Sequence, residues 1–497
     1  MQKDMSFAIA RTGRVQDWLN NPEKRLPVSC TVINVQDWCR PDMDDQIRFL
    51  ESKTNYLKTV HSEDFDGNYP EIEFDDGIES AIAFVSHGLR TGAGVAVHLS
   101  SLRPSGHDNG RGLVSSGPVS FARIFSLLNE VLRRGGVFRN GAVTLTMDLC
   151  CDDIREFIEA PRAALPWAKR CINLNQEMWD DATPLTRDCV LAGIARGDIW
   201  LSKVRYNQRG DRIFSNVCLE IMVESRGTCL LQHCNVSSCQ VEEIPDLFEQ
   251  AMQQLCDLHP KTGVGMTGEY LPPNRDRQVG LGILGLANLL ALEGVTYADF
   301  ADALEYPTLD YDGEKLNPKA IKIVVALQAG YNLAAAVARD HNMDRAFCIA
   351  PTASCSYRYV DRAGYTTAPE IAPPIGRIVD RDSSQFGVTQ VNYGKCETAE
   401  QVTWPVFYRV ANGIMKMMNA TGLAHGYSLN TWSDLVEYNE EFIQEWLDSP
   451  QSSMYYALQV KENAQAKDDV GAAFDGMFDF SSIDEEEEPS YCVSCAE

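Results

Sequence analysis

This chain lacks a convincing membrane segment. The best candidate, Gly280 to Leu292, has 13 residues between charged flanks, short of the ~20 that a spanning helix needs, so it reads as a buried helix. It also lacks a secretory signal, because Met1 to Cys30 holds Arg11, Arg14, Asp17, Glu23, Lys24 and Arg25 and no apolar run of the required length. A cytoplasmic protein is expected. Positive charge is scarce: 44 Lys plus Arg face 70 Asp plus Glu, a formal charge of −26. Such a field repels polyanions, so duplex nucleic acid is not an expected partner. No internal repeat is present, which excludes a solenoid or propeller. Among Cys229, Cys234 and Cys239 no Cys-x-x-Cys knuckle occurs and the nearest histidine is His233, so no metal site is expected.

What is present begins with an ordinary globular composition, 44% hydrophobic and 23% charged, able to bury a sizeable core. Apolar residues two apart, as in Val95, Val97, Leu99 and in Val143, Leu145, Met147, predict strands. Helical spacing follows in Ile78, Ala81, Ile82, Val85, Leu89 and in Phe121, Ile124, Phe125, Leu128, Leu132. The interleaving predicts an α/β fold with parallel strands. Further helices are expected over Lys319–Asp340, Val402–Met418 and Leu435–Leu447. Gly280, Gly282 and Gly285 satisfy a dinucleotide-binding pattern, but the preceding Pro272, Pro273 and Asn274 do not form a strand, so they are read as helix packing.

Lys461 to Glu497 has few large apolar residues and the acidic run Asp484 to Glu488, and is read as a flexible tail. It ends in Cys492-Val493-Ser494-Cys495. A dithiol on a mobile arm can reach other sites. The 16 cysteines are otherwise scattered, which in a reducing compartment favours free thiols or redox chemistry.

In Asn216-Val217-Cys218-Leu219-Glu220, an extended strand or finger loop would turn an amide, a thiol and a carboxylate to one face. These offer an orienting hydrogen bond, a sulfur centre and a general base; a buried structural cysteine is the plain alternative. Cys234 follows 16 residues later, and Cys30 stands in Pro27-Val28-Ser29-Cys30. With Arg90 to Val95, Ser116 to Phe121 and Ala350 to Ser356 in order, and the terminal dithiol, the chain resembles the catalytic subunit of ribonucleotide reductase.

The resemblance implies a ten-stranded α/β barrel of two parallel five-stranded halves around a finger loop. Its parts would be a short N-terminal segment 1–29 without a regulatory ATP cone, a barrel 30–460 and a redox tail 461–497. It implies Cys218 as the thiyl radical site, Glu220 as the base for the ribose 3′ hydroxyl and Asn216 as an orienting partner. Cys30 and Cys234 are the implied reductant pair, recharged by Cys492 and Cys495 and then by thioredoxin or glutaredoxin. Thr352, Ala353 and Ser354 would hold the substrate phosphates on backbone amides. Ser29, Thr91 and Gly92 would line the ribose. A nucleoside triphosphate effector is expected near Asp37, with Arg162 and Lys169 in the segment Pro161–Arg170 linking effector to substrate base, and an effector-dependent homodimer is expected.

The radical source is read from Tyr455-Tyr456, which resembles the stacked tyrosine pair that receives a radical from a ferritin-like small subunit. On that reading no cofactor binds directly. Ser116 to Phe121 looks more like the class that binds adenosylcobalamin, so a cobalamin-dependent triphosphate reductase is the alternative. A non-radical thiol oxidoreductase is a rival of another class, but it leaves Asn216, Glu220 and the phosphate loop unexplained. The C-terminal region has no Arg-Gly-Tyr-type loop, which disfavours a glycyl-radical relative.

Overall fold

The computed structural model describes residues 3–22, 26–38, 42–108, 112–132, 141–306, 316–383 and 387–460. Strands β1 (Ile9–Arg11) to β6 come early: β2 (Cys30–Asn34), β3 (Gly94–His98), β4 (Val143–Asp148), β5 (Lys169–Leu174) and β6 (Ile199–Lys203). The last five pair in parallel in sequence order, because helical crossovers such as Ile78–Thr91, Pro118–Val131 and Pro184–Ala195 return the chain to the same end each time.

A hairpin follows, with β7 (Arg205–Tyr206), β8 (Arg212–Ser215) and β9 (Met222–Val223). A second sheet then forms from β10 (Leu231–Asn235), β11 (Gln278–Leu284), β12 (Arg345–Ile349) and, past the two-stranded hairpin of β13 (Ile378–Ser383) and β14 (Gly387–Asn392), β15 (Ala424–Tyr427). Short strands β16 (Thr431–Trp432), β17 (Ser453–Met454) and β18 (Ala457–Leu458) finish the described chain. β17 joins the first sheet antiparallel to β6, and β1 joins the second antiparallel to β10.

The expected parallel α/β architecture is present, but not as two five-stranded parallel halves. The first sheet has five parallel strands plus β17, and the second has four plus β1. Among the described residues the two sheets are not hydrogen-bonded into a closed barrel. The N-terminal segment is built in: Thr12 caps the helix Gly13–Asn20, and the buried Arg14 guanidinium donates to the Gly92 carbonyl.

Strand alternation sorts side chains between two kinds of core. On β2, Ile33 joins a cluster with Val85 and Leu89 of the covering helix, whereas Cys30 and Val32 join a different cluster with Cys218. On β6, Ile199 and Leu201 face the helices and Trp200 faces the Cys218 side. On β12, Phe347 and Ile349 pack under helices while Cys348 joins Cys218. Each fully buried Leu or Ile contributes roughly 1.5–3 kcal/mol, so register is strongly fixed; a one-residue slip would exchange the two faces.

The predicted helices are found at Ile78–Thr91, Pro118–Val131, Pro318–Asp340 and Trp404–Ala420, and the last begins late, at Glu440–Asp448. Asn317 starts the longest by accepting from the Lys319 amide at 3.1 Å, with Pro318 in the first turn. That helix is the one described segment long and apolar enough to cross a membrane, and half of its apolar window is buried in the fold. The segment expected to be a buried helix is different: Gly280 and Gly282 lie within strand β11, and only Leu286–Glu293 is helical. A Cβ on Gly282 would meet the Cys348 carbonyl at 2.6 Å and His233 Nδ1 at 2.7 Å, so these glycines serve close strand packing.

Candidate active site

The segment between β8 and β9 is a tight hairpin tip, not an extended strand. The Asn216 amide donates to the Ile221 carbonyl at 2.9 Å, and Leu219 has φ of +69°. Within the tip, Asn216 Nδ2 donates to Glu220 Oε1 at 2.9 Å, and Asn216 Oδ1 accepts from the Ile221 amide at 3.2 Å. Both sheets hold it. Thr144 Oγ1 of β4 donates to the Val217 carbonyl at 2.9 Å. Ser428, just beyond β15, bonds the Cys218 carbonyl and lies 3.1 Å from Glu220 Oε2. Asn216, Cys218 and Glu220 are each at most 1% exposed. The amide, thiol and carboxylate expected together are therefore gathered on one buried turn.

Cys30, at the start of β2, lies opposite Cys229: the Cys229 amide donates to the Cys30 carbonyl at 2.9 Å, within a bridge that also pairs Thr31 with Thr228. Both thiols belong to the Cys218 cluster. Burial pushes the Cys229 thiol up to about 11, with hydrogen bonds from Cys30 and Asn216 opposing and the Glu220 charge adding. A thiol so placed keeps its proton at neutral pH.

Cys234 is the correction. Leu231 on β10 packs with Cys218, so by strand parity Cys234, three residues on, faces the opposite side. It lies in the helix-covered core with Leu230 and Cys239, and burial pushes its thiol well above the ordinary value. Cys229, not Cys234, meets Cys30. Cys348 is a further thiol of the inner cluster, raised by burial and by the Glu220 charge.

The substrate-side residues lie at the ends of strands, Ser29, Thr91 and Gly92 before β2 and β3 and Thr352 to Ser354 after β12. The Ser29 amide donates to the Cys229 carbonyl at 3.2 Å and the Ser29 carbonyl accepts from Gly94. Thr91 ends the helix before β3, and Gly92 is left-handed at φ +98°. Thr352, Ala353 and Ser354 follow β12, where Ala353–Ser356 forms one helical turn. Thr352 and Glu370 exchange hydrogen bonds: the Thr352 amide donates to Glu370 Oε1 at 3.1 Å, and the Glu370 amide donates to Thr352 Oγ1 at 2.9 Å. Burial pushes the Glu370 carboxyl up to about 8, the Glu220 charge adding and the Thr352 hydrogen bond opposing.

Tyr455 is buried and Tyr456 half-buried. Their rings meet edge-on, 4.3 Å between centroids at 69°, and not stacked as the resemblance implied. Trp200 touches both, at 4.4 Å from Tyr455 and 4.9 Å from Tyr456, and joins the Cys218 cluster. Cys492 and Cys495 lie outside the described residues.

The expected effector set does not converge. Asp37 follows the C-terminal end of β2 and pairs with Arg103. Lys169 opens β5 at the opposite end of the same parallel sheet, and Arg162 pairs with Asp198 at 2.6 Å beside the start of β6. At ~3.3 Å per residue those ends are separated by the strand length, so Arg162 and Lys169 cannot join Asp37.

Sequence reasoning also missed a buried polar network below the finger. His98 lies 3.1 Å from the Ser215 carbonyl and 2.5 Å from Thr146 Oγ1. Asn173 donates to Asp148 at 3.0 Å, and Arg212 closes the set on Asp148. Burial lowers His98 to about 4, leaving it neutral. Burial alone would raise Asp148, but Arg212 and Asn173 outweigh it and hold the carboxyl below its usual range. The available signal was the polar residues Thr144, Thr146 and Asp148 alternating with apolar ones on β4, and His98 and Asn173 on the strands beside it. No group of three His, Cys, Asp or Glu able to hold a metal occurs among the described residues.

Residues 67–180 match the family described as ribonucleotide reductase, barrel domain. Two curated relatives from Mycobacterium tuberculosis strains, both named vitamin B12-dependent ribonucleoside-diphosphate reductase, are 26% identical over 285 residues, 48% of this chain. The chain spans about 40% of the length of those relatives. A solved structure, the class Id ribonucleotide reductase alpha subunit of Actinobacillus ureae, superposes with a TM-score of 0.59 at 13% identity, covering 93% of this chain and 89% of that one.

Proposed function

We propose, from the ribonucleotide reductase barrel match of residues 67–180 and the fold shared with an alpha subunit, that this chain is the catalytic subunit of a ribonucleotide reductase. The observation that carries the reading is the finger: Asn216, Cys218 and Glu220 on one buried turn, with Cys30 and Cys229 facing each other in the same cluster. On this reading β2 to β6, and β1 with β10, β11, β12 and β15, are the halves of a ten-stranded barrel whose finger enters between them, 30–460 is the catalytic unit with β1 added from 1–29, and 461–497 is the redox tail.

Cys218, oxidised to a thiyl radical, takes the 3′ hydrogen atom of the ribose while Glu220 accepts the 3′ hydroxyl proton and Asn216 orients that carboxylate. The 2′ hydroxyl leaves as water with a proton from the Cys30–Cys229 pair. Two electrons from the same thiols reduce the sugar as their sulfurs join in a disulfide, and Cys218 returns a hydrogen atom to C3′. High thiol pKa values suit this, since Cys229 must hold its proton until the hydroxyl leaves. Cys492 and Cys495 then reopen the disulfide by exchange, with thioredoxin or glutaredoxin as the external donor.

Substrate phosphates rest on the backbone of Thr352 to Ser354, and Ser29, Thr91 and Gly92 wall the ribose. Asp37 with Arg103 is retained as the effector contact of a homodimer; Arg162 and Lys169 are not. The Trp200–Tyr455–Tyr456 contact supports a ferritin-like partner as radical source. The relatives' printed name favours the second reading, adenosylcobalamin. Incubating the purified chain anaerobically with ribonucleotide and either a ferritin-like partner or adenosylcobalamin tests both. Deoxynucleotide formed with the partner and lost in Tyr456→Phe supports the first; product with cobalamin alone, retained in Tyr456→Phe, overturns it; none with either source overturns reductase function.

A further inference from the structure

A second charged site lies at the other end of the second sheet. Arg345 opens β12, while the phosphate loop follows that strand's far end. It floors a cavity of about 260 Å³. Its guanidinium is half-buried, its one side-chain hydrogen bond goes from Nη1 to the Met222 carbonyl at 3.4 Å, and no carboxylate lies within ion-pair distance among the described residues. A partly desolvated cation with one long hydrogen bond is costly to the fold, and an anion beside it would offset that cost.

The walls continue the pattern. Arg209, Arg275 and Arg277 line the same cavity from two other chain segments. The carboxylates present, Glu224, Asp276 and Asp344, act on Arg345 only from beyond ion-pair distance, and two of them are engaged with the cavity's other arginines. Glu224 pairs with Arg209 and, at 3.5 Å, with Arg275. Asp344 pairs with Arg277 at 3.1 Å. Asp276 accepts from the Thr228 amide and hydroxyl, and burial pushes it up to about 7. On the same wall Gln278 Oε1 is buried without a hydrogen-bond partner, because its Nε2 already faces the Thr228 carbonyl and Asp276. The cavity thus offers guanidinium donors from three directions and one free buried acceptor.

We propose that this cavity binds a small phosphate ester, its phosphate on Arg345 and the surrounding arginines and a ligand hydroxyl on Gln278 Oε1. A carboxylate, planar, is satisfied by one guanidinium fork, whereas a tetrahedral phosphate can also draw on donors of the arginines that Glu224 and Asp344 only partly occupy. Binding would also reach the finger, since Arg345 bonds the carbonyl of Met222, whose amide donates to His425 Nδ1 at 3.3 Å.

The test uses the full chain with inorganic phosphate as probe, read by thermal unfolding and by backbone hydrogen exchange. Phosphate should raise Tm and slow exchange in 206–209 and 275–278. Arg345→Met should lose both responses and Arg345→Lys keep part of them. Without phosphate, Arg345→Met should be at least as stable as the parent, because a poorly satisfied charge has been removed; a purely structural arginine would give the opposite. Slowed exchange confined to 351–356, or an unchanged phosphate response in Arg345→Met, overturns the proposal.

Discussion

At the scale of single residues, strand parity puts Cys229 in the Cys218 cluster and Cys234 outside it. Cys218→Ser should abolish deoxynucleotide formation while leaving nucleotide affinity nearly unchanged, since the sulfur enters only the chemical step; turnover and equilibrium binding measured together check this. Cys229→Ser should block turnover with any reductant, whereas Cys234→Ala should retain it and lose only about 1 kcal/mol of stability, as for a small buried deletion. Full activity in Cys229→Ser would contradict the assignment. Asn216, Cys218 and Glu220 were legible as a group because they share a five-residue motif, although a tight turn with Leu219 left-handed, and not strand alternation, brings them together. Cys229 was not: choosing between it and Cys234 requires knowing which face of β10 looks inward, and Leu230 and Leu231 give an apolar residue to each side. Glu370 adds a pH signature. Its folded pKa of about 8 stands above the ordinary glutamate value of 4.5, so the folded state holds a proton that the unfolded state releases, and stability falls as pH rises through that window. Glu370→Gln should flatten the stability–pH curve between about 5 and 8 by up to ~1.4 kcal/mol per pH unit, read from denaturant midpoints; an unchanged slope would contradict it.

Among elements, those with a strong period were readable and those set by tertiary geometry were not. The helices Ile78–Thr91 and Pro118–Val131 and strands β3 and β4 follow from spacing alone. Gly280 to Leu284 misled because two glycines in an apolar run suggest helix packing, whereas the neighbouring β10 and β12 require strand with no side chain at positions 280 and 282. Gly282→Ala should therefore destabilise by roughly 1–3 kcal/mol, as overpacking does, and a denaturation midpoint equal to the parent's would contradict the register of β11. The effector segment failed for a related reason: chain order alone does not say at which end of a parallel sheet a loop emerges. Arg103, on the loop after β3, shares that end with Asp37; Arg162 and Lys169 do not.

At the scale of the molecule, two sheets with helices on their outer faces leave an inner space that neither fills, and the finger occupies it. Thr144 from one sheet and Ser428 from beyond the other hold the same turn, so the Cys218 thiol is positioned by both sheets together. On the proposed readings, an acidic chain of charge −26 relies on local amides after β12 and on a few arginines around Arg345 to receive anions. The most direct test is a single turnover by the pre-reduced chain with ribonucleotide, a radical source and no external reductant, followed by disulfide mapping. The account predicts deoxynucleotide in amounts set by the chain's own thiols, with Cys30 linked to Cys229 in a tail-truncated chain. Deoxynucleotide without that link, a Cys30–Cys234 link, or no deoxynucleotide at all would contradict it.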